Sequence, residues 1–266
     1  MKKLLILLII NAIILVPSCI HQQTIYENQA NLLKKFPTKA FVQIIQRVRL
    51  TNCNVPELCQ PKTETSVGSG LSLGPHGDGT IILTAAHVCR TNVPEGIEYK
   101  SGLFIRNTGG ISPAAIIHTT NLASDKSLDL CSLYVPNIKV EGVGLSLIPP
   151  KVGETVYALS APVGVYHPPT VPILSGIYSG PIPDSNAVLT TIPAVGGSSG
   201  SSVLNGRMKI VGVIFASHVG FPHASIASNH KQTRNFINKT LKIFYRVFRK
   251  NPPMSSEDWS SSPSLE

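Results

Sequence analysis

Three short segments of this 266-residue chain carry side chains that are suited to acyl-transfer chemistry. His87 follows an apolar run that predicts a strand, Asp129 lies between two leucines, and Ser199 lies in the glycine-rich segment 196–200. A neutral imidazole can take the proton of a serine hydroxyl, and a carboxylate can hold that imidazole in the required tautomer. The order His, Asp, Ser along a chain is one of several that assemble such a triad. We therefore predict that His87, Asp129 and Ser199 are catalytic residues.

The glycines around Ser199 indicate a second component of the same chemistry. Acyl transfer to a serine creates a negatively charged oxygen, which needs hydrogen-bond donors placed in advance. Glycines allow a tight loop whose backbone N–H groups turn toward one point. We expect the backbone N–H groups of Gly197 and Ser199 to form this oxyanion hole.

The composition favours an all-β fold. The chain has 21 glycines, 21 prolines, 42% apolar residues and only 14% charged residues, which suits short strands joined by turns and argues against global disorder. Alternating or β-branched runs bounded by turn residues predict strands at 40–50, 66–73, 80–85, 103–106, 114–118, 128–135, 156–159, 171–177, 186–191, 202–204 and 210–216.

The last part of the chain has a different periodicity. Ile237, Leu241, Phe244 and Phe248 recur at helical spacing, which predicts an amphipathic helix within 229–250. Its basic residues lie off the apolar stripe. They either form a solvent-exposed face of the helix or contact the anionic head groups of a membrane. The serine-rich tail 251–266 has too little apolar content to pack and is expected to be disordered.

The motifs resemble those of the trypsin-like serine peptidases of the chymotrypsin (PA-clan) superfamily. Residues 84–87 are similar to the family's histidine box, 128–130 to its aspartate strand and 197–201 to its serine box. Residues 160–164 and 175–180 resemble its bacterial high-temperature-requirement and glutamyl-endopeptidase branches. The resemblance covers about residues 40–248. It implies two antiparallel β-barrels packed side by side, a C-terminal helix, and a serine endopeptidase with its triad in the groove between the barrels.

The resemblance also implies a substrate pocket formed by Pro193, Ile214, Phe215, Ala216 and Ser217. Pro193 stands where trypsin has an acidic specificity residue, and Ile214 stands where glutamyl endopeptidases have a histidine. The walls carry no charge apart from His218 and His223 nearby. We expect cleavage after small or medium apolar residues, with cleavage after glutamate as the alternative.

Two other functional hypotheses remain open from the sequence. One is a catalytically inactive protease fold that serves as a binding module. The other is an α/β-hydrolase esterase, because residues 196–200 also satisfy the Gly-x-Ser-x-Gly pattern with Ser198 as the nucleophile. That fold needs a strand–helix alternation and an acid followed by a histidine downstream of the serine.

The N-terminus has the features of an export signal. Lys2 and Lys3 precede an apolar run over 4–16, which predicts a signal peptide over residues 1–18. Val16 and Ser18 before Cys19 resemble a bacterial lipoprotein box, which would make Cys19 the lipidated first residue of the mature protein. We expect a tether over 19–36 and a protease domain over 37–250 in the cell envelope. An ordinarily cleaved signal with secretion and a retained anchor are the alternatives.

The cysteine count is consistent with export. Of five cysteines, four remain if Cys19 is lipidated, and an even number in an exported protein suggests disulfides. Cys53 and Cys59 are close enough to clip one loop. Cys89 and Cys131 each lie two residues past a predicted triad residue, so we predict that they pair as well.

The remaining composition gives few indications of other ligands. The formal net charge is +9, but no nucleic-acid motif accompanies it, so a basic surface without nucleic-acid binding is expected. The cysteines lack Cys-x-x-Cys spacing, so no metal site is expected. The predicted chemistry needs no cofactor. The predicted partners are a polypeptide substrate and a membrane, to which the lipid on Cys19 would attach the protein.

Overall fold

The computed structural model describes residues 36–52, 63–93, 97–120, 128–218 and 220–248. The chain divides into two units, Met1–Pro37 and Thr38–Glu266, and the second contains all the described strands and helices. The predicted signal peptide, Cys19, the proposed Cys53–Cys59 pair and the tail 251–266 lie outside the described residues.

Twelve described strands form two closed antiparallel barrels, which confirms the predicted fold class. The first barrel has the order β1-β2-β3-β6-β5-β4, and the second has the order β10-β11-β12-β9-β8-β7. The strands are β1 Phe41–Asn52, β2 Thr63–His76, β3 Gly79–Thr84, β4 Glu98–Asn107, β5 Gly110–Thr119, β6 Cys131–Val135, β7 Thr155–Leu159, β8 Ile173–Pro181, β9 Ala187–Thr190, β10 Ser202–Leu204, β11 Ile210–His218 and β12 Phe221–Ser228.

Helical segments are few and mostly short. They comprise 3-10 turns at Thr38–Ala40 and Pro162–Gly164, a single α-turn at Ala86–Cys89, the C-terminal helix His230–Ile243, and a π-helical turn at Phe244–Phe248. None of the helices in the described part of the chain is long and apolar enough to cross a bilayer.

Each barrel has its own apolar core. All six residues of β3 are buried, and its isoleucines and leucine are fully enclosed. Burying a side chain of this size contributes roughly 1.5–3 kcal/mol. The first core contains Val42, Ile44, Ile82, Ile105 and Leu133, and the second contains Val156, Val188, Val203, Val211 and Ile214.

The C-terminal helix joins the two barrels. It follows β12 of the second barrel, and Asn229 caps its first turn by accepting a hydrogen bond from Gln232 N–H at 2.8 Å. It packs on the first barrel, where Phe236 stacks on His118 at 5.0 Å and Thr240 Oγ1 lies 3.0 Å from Ser132 Oγ. Of the predicted apolar stripe, Leu241 and Phe244 pack with Ile81, Ile117 and Tyr134 of the first barrel, so the stripe attaches the helix to that barrel.

Three local expectations differ from the structure. Strand β12 was not among the predicted strands, because its sequence contains a proline and few β-branched residues; its ladders with β11 and β9 form it. Strand β3 ends at Thr84, so His87 lies in the helical turn that follows. Strand β6 begins at Cys131, so Asp129 precedes the strand.

The predicted Cys89–Cys131 disulfide is present, with the two Cα atoms 6.6 Å apart. It joins the helical turn after β3 to the first residue of β6. The equal spacing from the two predicted triad residues is not what brings the cysteines together, because Cys89 lies in a helical turn and Cys131 begins a strand. The two segments meet because β3 and β6 are neighbours, with Thr84 opposite Cys131.

We predict that replacing both Cys89 and Cys131 with alanine lowers the free energy of unfolding by about 4 kcal/mol. The bridge closes a loop of 42 residues, and opening it increases the conformational entropy of the unfolded chain. Urea unfolding of the wild type and the double variant without reductant measures the difference. An unchanged unfolding midpoint would contradict the bridge.

Candidate active site

His87 and Asp129 form a hydrogen-bonded pair at the start of the α-turn. His87 Nδ1 lies 2.6 Å from Asp129 Oδ2, and the backbone N–H of His87 donates to Asp129 Oδ1 at 2.8 Å. The Asp129 side chain is 5% exposed, whereas that of His87 is 41% exposed. With its proton on Nδ1, the imidazole donates to the carboxylate and leaves Nε2 available as a base.

Thr120 holds the segment that carries Asp129. Its hydroxyl donates to Leu128 O at 2.8 Å and accepts from Leu130 N–H at 3.0 Å. Its backbone N–H donates to Leu130 O at 2.9 Å. Both neighbours of Asp129 are therefore fixed by one buried threonine, Thr120, which no sequence motif indicated.

The two adjacent serines of the glycine-rich loop have different environments. Ser198 is buried, and its hydroxyl accepts a hydrogen bond from Val195 N–H at 3.3 Å within the loop. Ser199 is partly exposed and lines a cleft. The neighbouring Gly200 N–H donates to Ile214 O at 2.8 Å, which attaches the loop to β11. Of these two serines, Ser199 is thus the one that is accessible from the cleft.

The two predicted oxyanion donors are not used in hydrogen bonds within the described part of the protein. Within the described residues, neither Gly197 N–H nor Ser199 N–H donates to another backbone or side-chain acceptor. Gly197 has a φ of 87°, and a Cβ there would lie 2.4 Å from Ala161 O, so only glycine fits. The carbonyl of the preceding Gly196 accepts from Val163 N–H at 2.7 Å.

The Ser199 loop meets the segment that leads to His87. Gly200 has a φ of 89°, and a Cβ there would lie 2.1 Å from both Ser69 O and Thr84 Oγ1 and 3.1 Å from Ala85 N. No hydrogen bond joins Ser199 Oγ to the imidazole in the described part of the chain. Catalytic hydrogen bonds of this kind commonly tighten only when a substrate is bound.

The cleft beside Ser199 has a volume of about 280 Å³. It contains three of the five predicted pocket residues, Ile214, Ala216 and Ser217, and its other wall is formed by Ala194, Val195 and Gly196. Pro193 and Phe215 do not line it. Phe215 packs against the core of the first barrel, because neighbouring side chains on a strand point to opposite faces.

The two histidines considered for glutamate recognition do not line this cleft. His218 lines a separate apolar groove with Leu189, Phe221, Ala224 and Ile226, and His223 makes an edge contact with Phe221. The residues that line the cleft carry no charge.

The loop after the Pro162–Gly164 turn is attached to the first barrel. Tyr166 packs edge-on against Phe41 at 5.0 Å, and Gln43 Nε2 donates to Gly164 O at 3.0 Å. Burial raises the pKa of Tyr166 above its ordinary value, although the positive charge of Arg106 opposes this shift. Tyr166 therefore remains a neutral phenol at physiological pH.

We predict that Gly200→Ala destabilises the fold by at least about 2 kcal/mol. The new methyl group would collide with the backbone of β2, and φ is positive at this position. Gly206→Ala is the matched control, because a Cβ there would have no neighbour within 4 Å. Urea unfolding of both variants tests the prediction, and equal midpoints would contradict the close packing of the Ser199 loop.

Comparisons with known proteins agree with this architecture. Residues 68–213, more than half of the chain, match the trypsin-like peptidase domain family. No curated protein matches the chain significantly. Among solved structures, a serine endoprotease from Yersinia pestis is similar with a TM-score of 0.54 at 20% identity, over 77% of this chain and 64% of that one. The chain therefore spans less than two thirds of the length of that structure.

A second solved structure is that of Rv3671c from Mycobacterium tuberculosis, an inactive form of a serine-to-alanine mutant. It has a TM-score of 0.52 at 16% identity, and the match covers 82% of this chain and 91% of that one. At these identities the structures support the double-barrel fold alone, and the family match supplies the assignment. The chain belongs to the trypsin-like peptidase domain family.

Proposed function

We propose that the protein is a serine endopeptidase in which His87, Asp129 and Ser199 form the catalytic triad. The observation that carries the proposal is the double hydrogen bond between the buried Asp129 carboxylate and His87. This pair lies next to a loop that presents Ser199 to a cleft. Two neighbouring backbone N–H groups of the same loop, those of Gly197 and Ser199, are available as donors.

In the proposed reaction, the substrate carbonyl carbon lies beside Ser199 Oγ, with its oxygen facing the two backbone donors. Ser199 Oγ attacks that carbon as its proton passes to His87 Nε2, giving a tetrahedral intermediate. The C–N bond then breaks, the imidazolium protonates the leaving amine, and an acyl-enzyme remains. Water attacks the ester by the same proton route, which releases the acid and restores Ser199.

Asp129 has an electrostatic role in this scheme. Its carboxylate keeps the imidazole proton on Nδ1 and stabilises the positive charge that forms when Nε2 accepts the serine proton. Because the carboxylate is almost fully buried, water screens this attraction little. Thr120 and the Cys89–Cys131 disulfide support the pair by restricting the backbone on either side.

The esterase hypothesis with Ser198 as nucleophile has no support. The described strands form antiparallel barrels without the strand–helix alternation of an α/β-hydrolase. Ser198 is buried and its hydroxyl is engaged with Val195. The hypothesis of an inactive binding module is distinguished from a peptidase by the activity of the wild-type protein.

We further propose that the enzyme acts outside the cytoplasm and is tethered to a membrane by a lipid on Cys19. The lipoprotein-like sequence before Cys19 motivates the tether. The Cys89–Cys131 disulfide supports an oxidising compartment, since such bonds rarely persist in a reducing cytoplasm. The proposed partners are a polypeptide substrate and that membrane.

We expect Ser199→Ala to lower kcat on peptides by a factor on the order of 10⁴–10⁶, because the nucleophile is lost. Ser198→Ala is the matched control. It removes a buried acceptor for Val195 N–H, so we expect it to reduce kcat by about tenfold or less. Peptide hydrolysis by the two folded variants measures both effects. A larger loss from Ser198→Ala would reject Ser199 as the nucleophile.

We expect cleavage after small or medium apolar residues. The cleft beside Ser199 is lined by Ile214, Ala216 and other uncharged residues, so a charged side chain would lose its hydration without an opposing charge. Peptides that differ only at the residue before the cut should show kcat/KM at least about tenfold higher for alanine or valine than for glutamate or lysine. A preference for glutamate, lysine or arginine would overturn this expectation.

A further inference from the structure

We infer that Ser69 is a positioning residue for the proposed reaction: through it the first barrel fixes the oxyanion donors that the second barrel supplies. The inference rests on the proposed function and adds to it a residue outside the triad and the pocket. Ser69 lies on β2 and is fully buried, so its effect would pass through the groups to which it is hydrogen-bonded.

Ser69 lies where β2 has lost one neighbour. The ladder between β2 and β3 ends at the pair Leu71 and Leu83, since the chain after Thr84 turns away to form the His87 turn. At Ser69, β2 no longer pairs with β3, and the Ser199 loop is hydrogen-bonded to this edge of β2 instead. The backbone N–H of Ser69 donates to Ser199 O at 2.8 Å, and its carbonyl accepts from Thr84 Oγ1 at 2.8 Å.

The hydroxyl of Ser69 joins two further segments. It donates to Gly197 O at 2.8 Å and accepts a hydrogen bond from Ala161 N–H at 2.9 Å. A single buried side chain thus contacts the loop with the proposed oxyanion donors and the segment that leads into the Pro162–Gly164 turn. A buried hydroxyl with both a donor and an acceptor bond is held in one orientation.

These bonds restrict the peptide units on both sides of the Gly197 Cα atom. The Gly196 carbonyl is held by Val163 N–H, and the Gly197 carbonyl is held by Ser69 Oγ. Since peptide units are planar, fixing the carbonyl of Gly196 fixes the opposite direction of Gly197 N–H. Glycine offers little resistance to rotation at this position. The Val163 bond therefore sets the direction of that N–H, and the Ser69 bond limits rotation of the peptide unit on the other side of the Gly197 Cα atom.

Val163, which holds the Gly196 carbonyl and is the second anchor of the loop beside Ser69, is itself in an unusual conformation. Val163 has φ 46° and ψ 29°, a left-handed conformation that a β-branched residue rarely adopts. Such a conformation persists when neighbouring contacts determine it, and here Gln43 holds the next residue through Gly164 O. Both anchors of the loop therefore depend on side chains of the first barrel.

The chain contains a closely matched control for Ser69. Ser72 lies on the same strand, is equally buried, donates to Val140 O at 3.3 Å and accepts from Gly74 N–H at 3.0 Å. Its bonds have the same chemical types, but none involves the Ser199 loop. Ser69→Ala and Ser72→Ala both remove a buried hydroxyl that bridges two backbone groups.

The test compares these two variants with the wild type in peptide hydrolysis, urea unfolding and inhibition by a peptide boronic acid, which mimics the tetrahedral intermediate. We expect both variants to lower the unfolding midpoint. Ser69→Ala should also lower kcat about 10- to 100-fold with KM changed less than about threefold, and weaken boronate binding in proportion. Ser72→Ala should retain the wild-type kcat. Ser69→Cys, with similar volume and a weaker donor, should fall between wild type and Ser69→Ala.

Each result has a definite meaning. Equal kcat values for the two alanine variants would overturn the inference and leave the proposed function intact. If Ser69→Ala does not fold, Ser69→Cys decides the question. A kcat equal to that of the wild type would overturn the inference, and a lower kcat would support it. A wild-type protein that neither cleaves peptides nor reacts with a serine-directed probe would reject the proposed function, and with it the inference.

Discussion

The candidate site depends on the docking of the Ser199 loop, which belongs to the second barrel, against strand β2 of the first. The loop and the first barrel are in such close contact that a Cβ on Gly200 would collide with Ser69 O and Thr84 Oγ1. This contact brings the serine to the side of the first barrel on which His87 and Asp129 are held. If the loop were displaced, Ser199 would no longer lie beside the segment that leads to His87, and the proposed triad would not be assembled.

The rest of the structure stabilises that arrangement from both sides. In the first barrel, the disulfide and Thr120 restrict the segments of His87 and Asp129. In the second, backbone bonds with Ile214 attach the Ser199 loop to β11. The C-terminal helix leaves the second barrel and packs on the first through Phe236 and Thr240. The barrels are thus joined both at the site and through this helix.

The sequence predicted most of what local patterns and short motifs encode. The double barrel, the proximity of His87 and Asp129, the cleft position of Ser199 and the Cys89–Cys131 pairing were all expected. Strand β12 was missed because its residues have low strand propensity and its neighbours in the sheet supply the missing stabilisation. Phe215 packs on the core of the first barrel and does not line the cleft beside Ser199; sequence alone did not fix which face of β11 points to that cleft.

The supporting residues could not have been found from spacing. Ser69 and Thr120 act through hydrogen bonds to backbone atoms, which are the same in every residue type and leave no periodic pattern. Ser69 and Gly197 are 128 positions apart, so their contact exists only in the folded chain. The Gly-Ser-Gly sequence at 68–70 was a weak signal, since glycines beside a buried serine are typical of close backbone approach.

The most direct measurement is covalent labelling of the wild-type protein with a fluorophosphonate, with the modified residue located by fragment-ion mass spectrometry. Such a probe reacts with a serine only where a base and an oxyanion hole activate it. The account predicts one adduct per chain, on Ser199, that is lost when the protein is unfolded in urea before labelling. An adduct on Ser198 or elsewhere, or no adduct on the folded protein, would contradict it.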